Sequence, residues 1–412
     1  LFPKPRTLSE PPRVVITGAG VVTALGIGWA ANAEGFRGGR PAFGPVSVFD
    51  ASRQRTKIAA EVKLPANLPT YGLSARQAGR LVPATHLLLL AATEAWGQAG
   101  WDPSADLPLV LGTTAGGMAM GEAYYHQAVG SPRRQRQQPT RALHYQMQVQ
   151  GRLAAEALGF QGPITIVSNA CTSGANALGL AADMIRCGRA ERALAGGYDA
   201  LCQMVFAGFD SLQALSPNPC RPFDAGRDGL SLGEGAAVVT LETLDSARRR
   251  GAEILGELAG YASTIDLHHL TQPHPEGAAA FGSMSQACAQ AGVNPEQIGY
   301  LNAHGTGTPL NDRAEALAIQ RWAGPHARTI PVSSTKAAIG HTLGAAGAIE
   351  AVVCLMALRE QWLPPEISLE SPDPICGFPL VRKPTDAPVN LALSNSFGFG
   401  GVNASLVLRR WA

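Results

Sequence analysis

Cys171 stands in Ile164-Thr-Ile-Val-Ser-Asn-Ala-Cys171-Thr172-Ser173-Gly, where a β-branched run gives way at once to small helix-forming residues. That pattern reads as strand, tight turn and helix, with a thiol at the helix start. The unpaired N–H groups and partial positive charge of a helix N-terminus favour thiolate over thiol, so a cysteine placed there is a candidate nucleophile. Two histidines could serve it. His304 follows the strand-like Tyr300-Leu-Asn-Ala and opens the loop Gly305-Thr306-Gly307-Thr308, which leads to a helix bearing Asp312 and Glu315. His341, in Lys336-Ala-Ala-Ile-Gly-His341, lies at a second strand-to-helix transition. The helix dipole disfavours imidazolium there, and a neutral ring can donate a hydrogen bond to a developing oxyanion. Lys336 is expected to pair with Glu315 or Asp312 and hold the loops together. Phe397-Gly398-Phe399-Gly400-Gly401 places aromatics between glycines, which suits a hinged flap.

The elements that must position these groups alternate along the chain. Strand-like runs begin at Arg13, Leu107, Ile164, Arg192 and Ala236, then at Ile298, Ile330, Val389 and Ala404, with a long connection through Ile254–Ala259 between the two sets. Strands alternating with helices imply an α/β protein with mostly parallel sheets covered on both faces. Val332-Ser-Ser-Thr-Lys336 and its following small-residue helix echo the segment around Cys171. The two halves are therefore similar, and small residues suit helices packed closely at the centre. Gly18-Ala-Gly20 resembles a dinucleotide loop only superficially. The third glycine is absent, as is an acidic residue about 20 positions on, so a tight strand-to-helix turn is expected instead.

Composition narrows the function classes. A net charge of +2 lacks the basic excess of a nucleic-acid binder. The longest aliphatic stretch, from His86 through Leu90 to Ala92, is too short for a membrane span. Seven dispersed cysteines fit reduced thiols in the cytoplasm, and no Cys or His spacing supports a metal site. The Pro-rich residues 1–12, which lack an initiator Met, are expected to be a disordered lead-in. The first half then spans 13–255 and carries the nucleophile. The second spans 256–412 and carries both histidines, the two being fused into one globule.

With Arg221-Pro-Phe-Asp-Ala-Gly-Arg-Asp-Gly-Leu-Ser-Leu-Gly-Glu-Gly-Ala236 added, these motifs stand in the order found in the β-ketoacyl-acyl-carrier-protein synthases, which the chain resembles from about residue 13 to 410. These are condensing enzymes of the thiolase superfamily, and the type II elongating members and polyketide ketosynthases are the most similar. The resemblance implies a thiolase-like fold of two pseudo-symmetric βαβαβαββ halves in an αβαβα sandwich. It also implies decarboxylative condensation of an acyl group on Cys171 with a malonyl thioester, with His304 and His341 completing a triad. By the same resemblance, the N–H groups of Cys171 and Phe399 form an oxyanion hole. Phe399 and Phe209 gate the site, Thr306 and Thr308 bind pantetheine, and Lys336, Asp312 and Glu315 support the rest.

No metal or other cofactor is implied beyond the phosphopantetheine of the acyl carrier protein. Partners would be that carrier and a second subunit, as a homodimer or as a heterodimer with a ketosynthase-like chain-length partner. A degradative thiolase and a Cys-His hydrolase are the rival readings. Two residues depart from the family. Thr172 adds a hydroxyl near the acyl site, and Ala115 leaves room at the pocket floor where relatives carry a larger residue, which tilts the reading towards a specialised polyene or polyketide pathway. Arg76 and Arg80, four apart on one helical face, and the run Arg133-Arg134-Gln-Arg136 are candidates for docking an acidic carrier. His269 is placed on a mobile loop near the mouth.

Overall fold

The computed structural model describes residues 10–102, 107–130, 143–159 and 161–412. Residues 1–9 of the lead-in and the Arg133–Arg136 run lie outside the described residues. Ten strands carry the fold: β1 (Val14–Thr23), β2 (Leu109–Gly112), β3 (Ile164–Val167), β4 (Arg192–Asp199), β5 (Gly235–Thr243), β6 (Gly256–Ile265), β7 (Tyr300–Asn302), β8 (Val332–Ser333), β9 (Leu391–Phe397) and β10 (Val402–Arg409).

They lie in the order β8-β7-β9-β10-β6-β1-β5-β4-β2-β3. Numbered from each half's own first strand, both halves read 3-2-4-5-1. In each, the fifth strand is antiparallel to its neighbours and the second pairs in parallel with the third and fourth. The halves meet where β1 pairs antiparallel with β6 at only two positions, Val15 with Glu257 and Ile16 with Gly256. The internal echo heard in the sequence is a duplication of topology.

Eight helices matter here: α1 (Pro83–Ala99), α2 (Met118–Gly130), α3 (Gln148–Leu158), α4 (Ser173–Arg186), α5 (Gln203–Ser211), α6 (Ala278–Ala291), α7 (Pro309–Ala323) and α8 (Ala346–Glu360). One core cluster joins α4 and α8 to inward residues of both halves, including Ile16, Val21 and Val239 from the first and Leu406 and Leu408 from the second. A second cluster packs α1 and α3 on the outer face of the first half, and a third packs α6 and α7 on the outer face of the second. The result is five layers, α-β-α-β-α. In α8, every residue from Ala346 to Leu358 is buried, as a central helix requires. Its small residues allow that closeness, since a Cβ on Gly347 would lie 2.7 Å from the Cβ of Ala175 in α4.

Two expectations are corrected. Gly18 and Gly20 are not at a turn; both sit inside the ten-residue strand β1. A Cβ on Gly20 would lie 2.0 Å from the Ala91 carbonyl oxygen and one on Gly18 2.2 Å from that of Ala95. The glycines let α1 lie directly on the strand, and no loop remains to cradle a phosphate. The segment from 256 is a central ten-residue strand rather than a connection. Its glycines hid it from a propensity reading, yet Gly260 is where α6 approaches, with Ala287 O 2.2 Å from a would-be Cβ. Gly20→Ala is expected to cost about 1–3 kcal/mol through overpacking, read as a lower denaturant midpoint; an unchanged midpoint would show that α1 moves away freely.

Candidate active site

Cys171 sits in the single 3₁₀ turn Ala170–Thr172 that links β3 to α4. The turn is strained, with Ala170 at φ 50°, and short-range bonds hold it. The Thr172 hydroxyl donates to Asn169 O at 2.7 Å, and those of Ser173 and Thr114 both donate to Ala170 O, at 2.6 and 3.0 Å. Asn176 Nδ2 donates to Thr172 Oγ1 at 3.2 Å, and Tyr261, from β6 of the other half, donates to Asn176 Oδ1 at 3.0 Å. The hydroxyl at position 172, expected to face the acyl group, is thus consumed in bracing the turn.

Burial dominates the sulfur and pushes the Cys171 thiol up to about 11. The charge of Lys336 and the backbone N–H groups of Phe399 and Cys171 itself act against that rise. These two amides are the pair expected to form the oxyanion hole. The N–H groups and the Lys336 charge therefore moderate the penalty of burial without overturning it.

His304 and His341 are buried in edge-to-face contact, ring centroids 5.3 Å apart. Both are held well below the usual imidazole range, mainly by burial and next by the Lys336 charge, and both are neutral. The Nδ1 of His341 accepts the Leu343 N–H at 3.1 Å, which assigns its proton to Nε2. Nδ1 of His304 has no protein partner among the described residues. Cys171, His304 and His341 line one cavity of about 60 Å³ with Thr306, Phe209, Phe397, Phe399 and His269. One group from the first half and two from the second are thereby gathered at one point.

The segment 221–235 explains how. His341 N donates to Ser231 O at 2.7 Å, and Gly233 N donates to His341 O at 3.1 Å. Gly229 N reaches Gly307 O in the His304 loop, and Phe223 N reaches Asp312 Oδ2. One strap thus braces both histidine loops. Asp312 also accepts the N–H groups of Thr306 and Gly307, while Glu315 accepts those of His304 and Gly305, at 2.9 and 2.8 Å, plus Nδ2 of Asn395. Burial raises the Glu315 carboxyl to about 7 against those donors.

Lys336 pairs with neither acid: its partner is Glu350, buried in α8. Two ions this deep must find each other, because neither reaches water. The signal for Glu350 was a lone acid inside an apolar helix. The other residue missed was Asp199, at the end of β4, which accepts from Thr113 Oγ1 and from the N–H groups of Thr114, Ala115 and Gly344 at 2.7–2.8 Å.

Phe209, on α5, stacks on Phe399 with centroids 5.7 Å apart, so the two gate candidates meet. Thr306 and Thr308 share a hydrogen bond between hydroxyls at 2.8 Å. His269 lines the cavity, and its Nδ1 accepts the Thr271 N–H. Ala115 is buried beside Asp199 but does not line the cavity at Cys171, nor does Thr172. Arg76 and Arg80 are exposed, but the helix carrying Arg76 ends at Ala78, so they do not share a helical face, and neither lines the cavity. Among the described residues no group of three or more His, Cys, Asp or Glu is arranged to hold a metal ion.

Residues 12–247 match the N-terminal domain of the β-ketoacyl synthases and residues 255–370 the C-terminal domain. The chain is 38% identical to 3-oxoacyl-[acyl-carrier-protein] synthase 2 of Synechocystis sp., over 98% of this chain and 99% of that one. It is also 38% identical to the tetracenomycin polyketide synthase ketoacyl synthase alpha subunit of Streptomyces glaucescens, over 97% of each. Among solved structures, the ishigamide ketosynthase/chain length factor superposes with a TM-score of 0.90 at 31% identity, covering 98% of this chain and 100% of that one.

Lys336→Met leaves Glu350 buried without its cation and is expected to cost about 3–5 kcal/mol of stability. Adding Glu350→Gln should recover most of that loss in chemical denaturation, whereas equal midpoints for the single and double variants would show that the pair is not coupled.

Proposed function

The chain belongs to the β-ketoacyl synthase family, and from that premise we propose that Cys171, His304 and His341 perform a two-stage decarboxylative condensation. The activity is that of an acyltransferase which joins a Cys-bound acyl group to malonyl-acyl-carrier-protein. One observation carries the assignment of roles: thiol and imidazoles line the same cavity, and the His341 proton sits on Nε2.

In the first stage the Cys171 sulfur attacks an acyl thioester on the carrier's phosphopantetheine. The new thioester forms as the carrier's sulfur leaves and takes the proton the thiol gave up. In the second, a malonyl thioester enters and its carboxylate leaves as CO2. His304 and His341 hydrogen-bond the enolate oxygen, and two neutral rings do this without quenching the carbanion, as an imidazolium would by giving up a proton. The carbanion attacks the acyl-Cys171 carbonyl. The N–H groups of Cys171 and Phe399 hold the tetrahedral oxygen until the carbon–sulfur bond breaks, giving a 3-oxoacyl thioester and free Cys171, which regains a proton. Thioester exchange is redox-neutral and decarboxylation itself supplies the carbanion, so we assign no cofactor beyond the carrier's arm. Lys336, Asp312 and Glu315 position the histidine loops.

Two features support a specialised elongation pathway and a second subunit. Position 115, on the loop after β2, carries only a methyl group. Beyond that loop, Met118, Tyr124, Tyr125, Tyr145 and Met204 line a groove of about 840 Å³. Tyr125 and Met204 are 65% and 63% exposed. A ketosynthase-like chain-length partner is the occupant assigned to this face. No helix among the described residues is long and apolar enough to cross a membrane. The seven cysteines are all free, which supports a cytoplasmic location.

The test is intact-protein mass spectrometry with acyl- and malonyl-carrier substrates. The parent should gain one acyl group and Cys171→Ala none. His341→Ala should still acylate yet lose condensation by roughly 10²–10³-fold. Free acid released without malonyl-dependent CO2 would sink the synthase reading in favour of a hydrolase. Ala115→Phe should shorten the longest product, and an unchanged product length would remove Ala115 from the acyl pocket.

A further inference from the structure

Ala170, at φ 50°, is the strained residue of the Cys171 turn. The peptides on either side of it decide where the Cys171 N–H points, because that amide belongs to the second of them. Both peptides are clamped by side chains. The hydroxyls of Ser173 and Thr114 hold Ala170 O, and the Thr172 hydroxyl holds Asn169 O. The flap lies over the same atoms, since a Cβ on Gly398 would be 3.3 Å from Asn169 O and 3.4 Å from Cys171 N. Behind the Thr172 clamp stands a chain of donors that all point one way. Tyr261 donates to Asn176 Oδ1 at 3.0 Å, Asn176 Nδ2 donates to Thr172 Oγ1 at 3.2 Å, and Thr172 donates to Asn169 O at 2.7 Å. Thr172 and Asn176 are buried. Burial pushes the Tyr261 hydroxyl up to about 12, so it keeps the proton it donates. The Tyr261 ring is held too. It lies against α4 at Gly179, where a Cβ would come within 2.3 Å of it. Position 179 is three residues on from Asn176 and shares its helix face, so the glycine that admits the ring brings the hydroxyl to the amide.

We propose that Asn176 and Tyr261 are positioning residues that aim the Cys171 N–H at the oxygen of the tetrahedral intermediate. The inference rests on the reading that this amide is half of the oxyanion hole. Neither side chain lines the cavity at Cys171, so both act through Thr172 and the turn. An oxyanion donor is effective when it is aimed in advance, because it then costs no reorganisation at the moment of reaction. A strained turn left to itself relaxes and carries its amide away. With either link removed, the Thr172 hydroxyl can rotate off Asn169 O and the strain at Ala170 is released. Tyr261 belongs to β6 and Cys171 to the first half, so the second half of the chain steers a backbone amide in the first.

The test separates acylation from alkylation of the same sulfur. Acyl transfer from an acyl-carrier thioester builds charge on a carbonyl oxygen, whereas iodoacetamide alkylates Cys171 by displacement at carbon and builds none there. Asn176→Leu keeps the side chain's shape and removes both polar atoms. It should slow acylation roughly 10–100-fold, short of the loss from deleting an oxyanion donor outright. Tyr261→Phe should slow it roughly fivefold, as loss of one hydrogen bond does. KM for the acyl carrier should hold. Alkylation should change by less than about twofold, because the Cys171 N–H acts less on the thiol than burial, Lys336 or Phe399 does. The double variant should match Asn176→Leu alone, since links of one chain do not add. Parent-like acylation in both variants, equal losses of acylation and alkylation, or additive losses would each overturn the proposal. If Asn176→Leu does not fold, Tyr261→Phe decides, because its ring stays packed at Gly179. A parent that never gains an acyl group would remove the reading of function and the proposal with it, whereas an acylating parent with parent-like variants removes the proposal alone.

Discussion

Asp199 locks the two halves together where the chemistry takes place. Its carboxylate gathers a hydroxyl and three amides from the loop after β2, and the amide of Gly344 from the turn after His341. Burial pushes its carboxyl above the ordinary range, and these donors oppose that. A buried carboxylate group is tolerable only when its lone pairs are filled, and here a hydroxyl and backbone amides fill them. The fit leaves no slack, since a Cβ on Gly344 would lie 2.6 Å from Thr114 N. Because Thr114 also holds Ala170 O, the same cluster reaches the Cys171 turn from one side and the His341 turn from the other.

Beside that junction the Lys336 ammonium lies buried against Glu350. Its field, added to burial, keeps both imidazoles neutral and draws the thiol towards the thiolate. A site that must protect a carbanion benefits when the rings facing it are neutral, and burial together with the Lys336 charge keeps them so.

Much of this was legible from residue order. Strand, turn and small-residue helix placed Cys171 correctly because an apolar run that stops at one thiol leaves few other foldings. The histidine loops were legible for the same reason. What escaped was whatever depends on distance in three dimensions. Lys336 was matched to the acids of its neighbouring loop, while its partner lay in α8. The Gly18-Ala-Gly20 pair looked like a turn because glycine in isolation does not reveal whether it bends a chain or admits a neighbour. β6 reads as a connection in the sequence because its glycines serve packing by α6. Arg76 and Arg80 do not share a helical face, and their four-residue spacing carries no information on where a helix ends.

The repeated strand order has a consequence for how such a site can arise. The Cys171 turn follows the third strand of the first half and the His341 turn follows the third strand of the second, so the two occupy equivalent places. Two separate copies of one half-length chain would have to present the same residue at both turns. Joining them in a single polypeptide breaks that symmetry, and each turn can then diverge, one to hold a covalent intermediate and the other to stabilise negative charge. Neither half, expressed by itself, would contain a complete set of reacting groups.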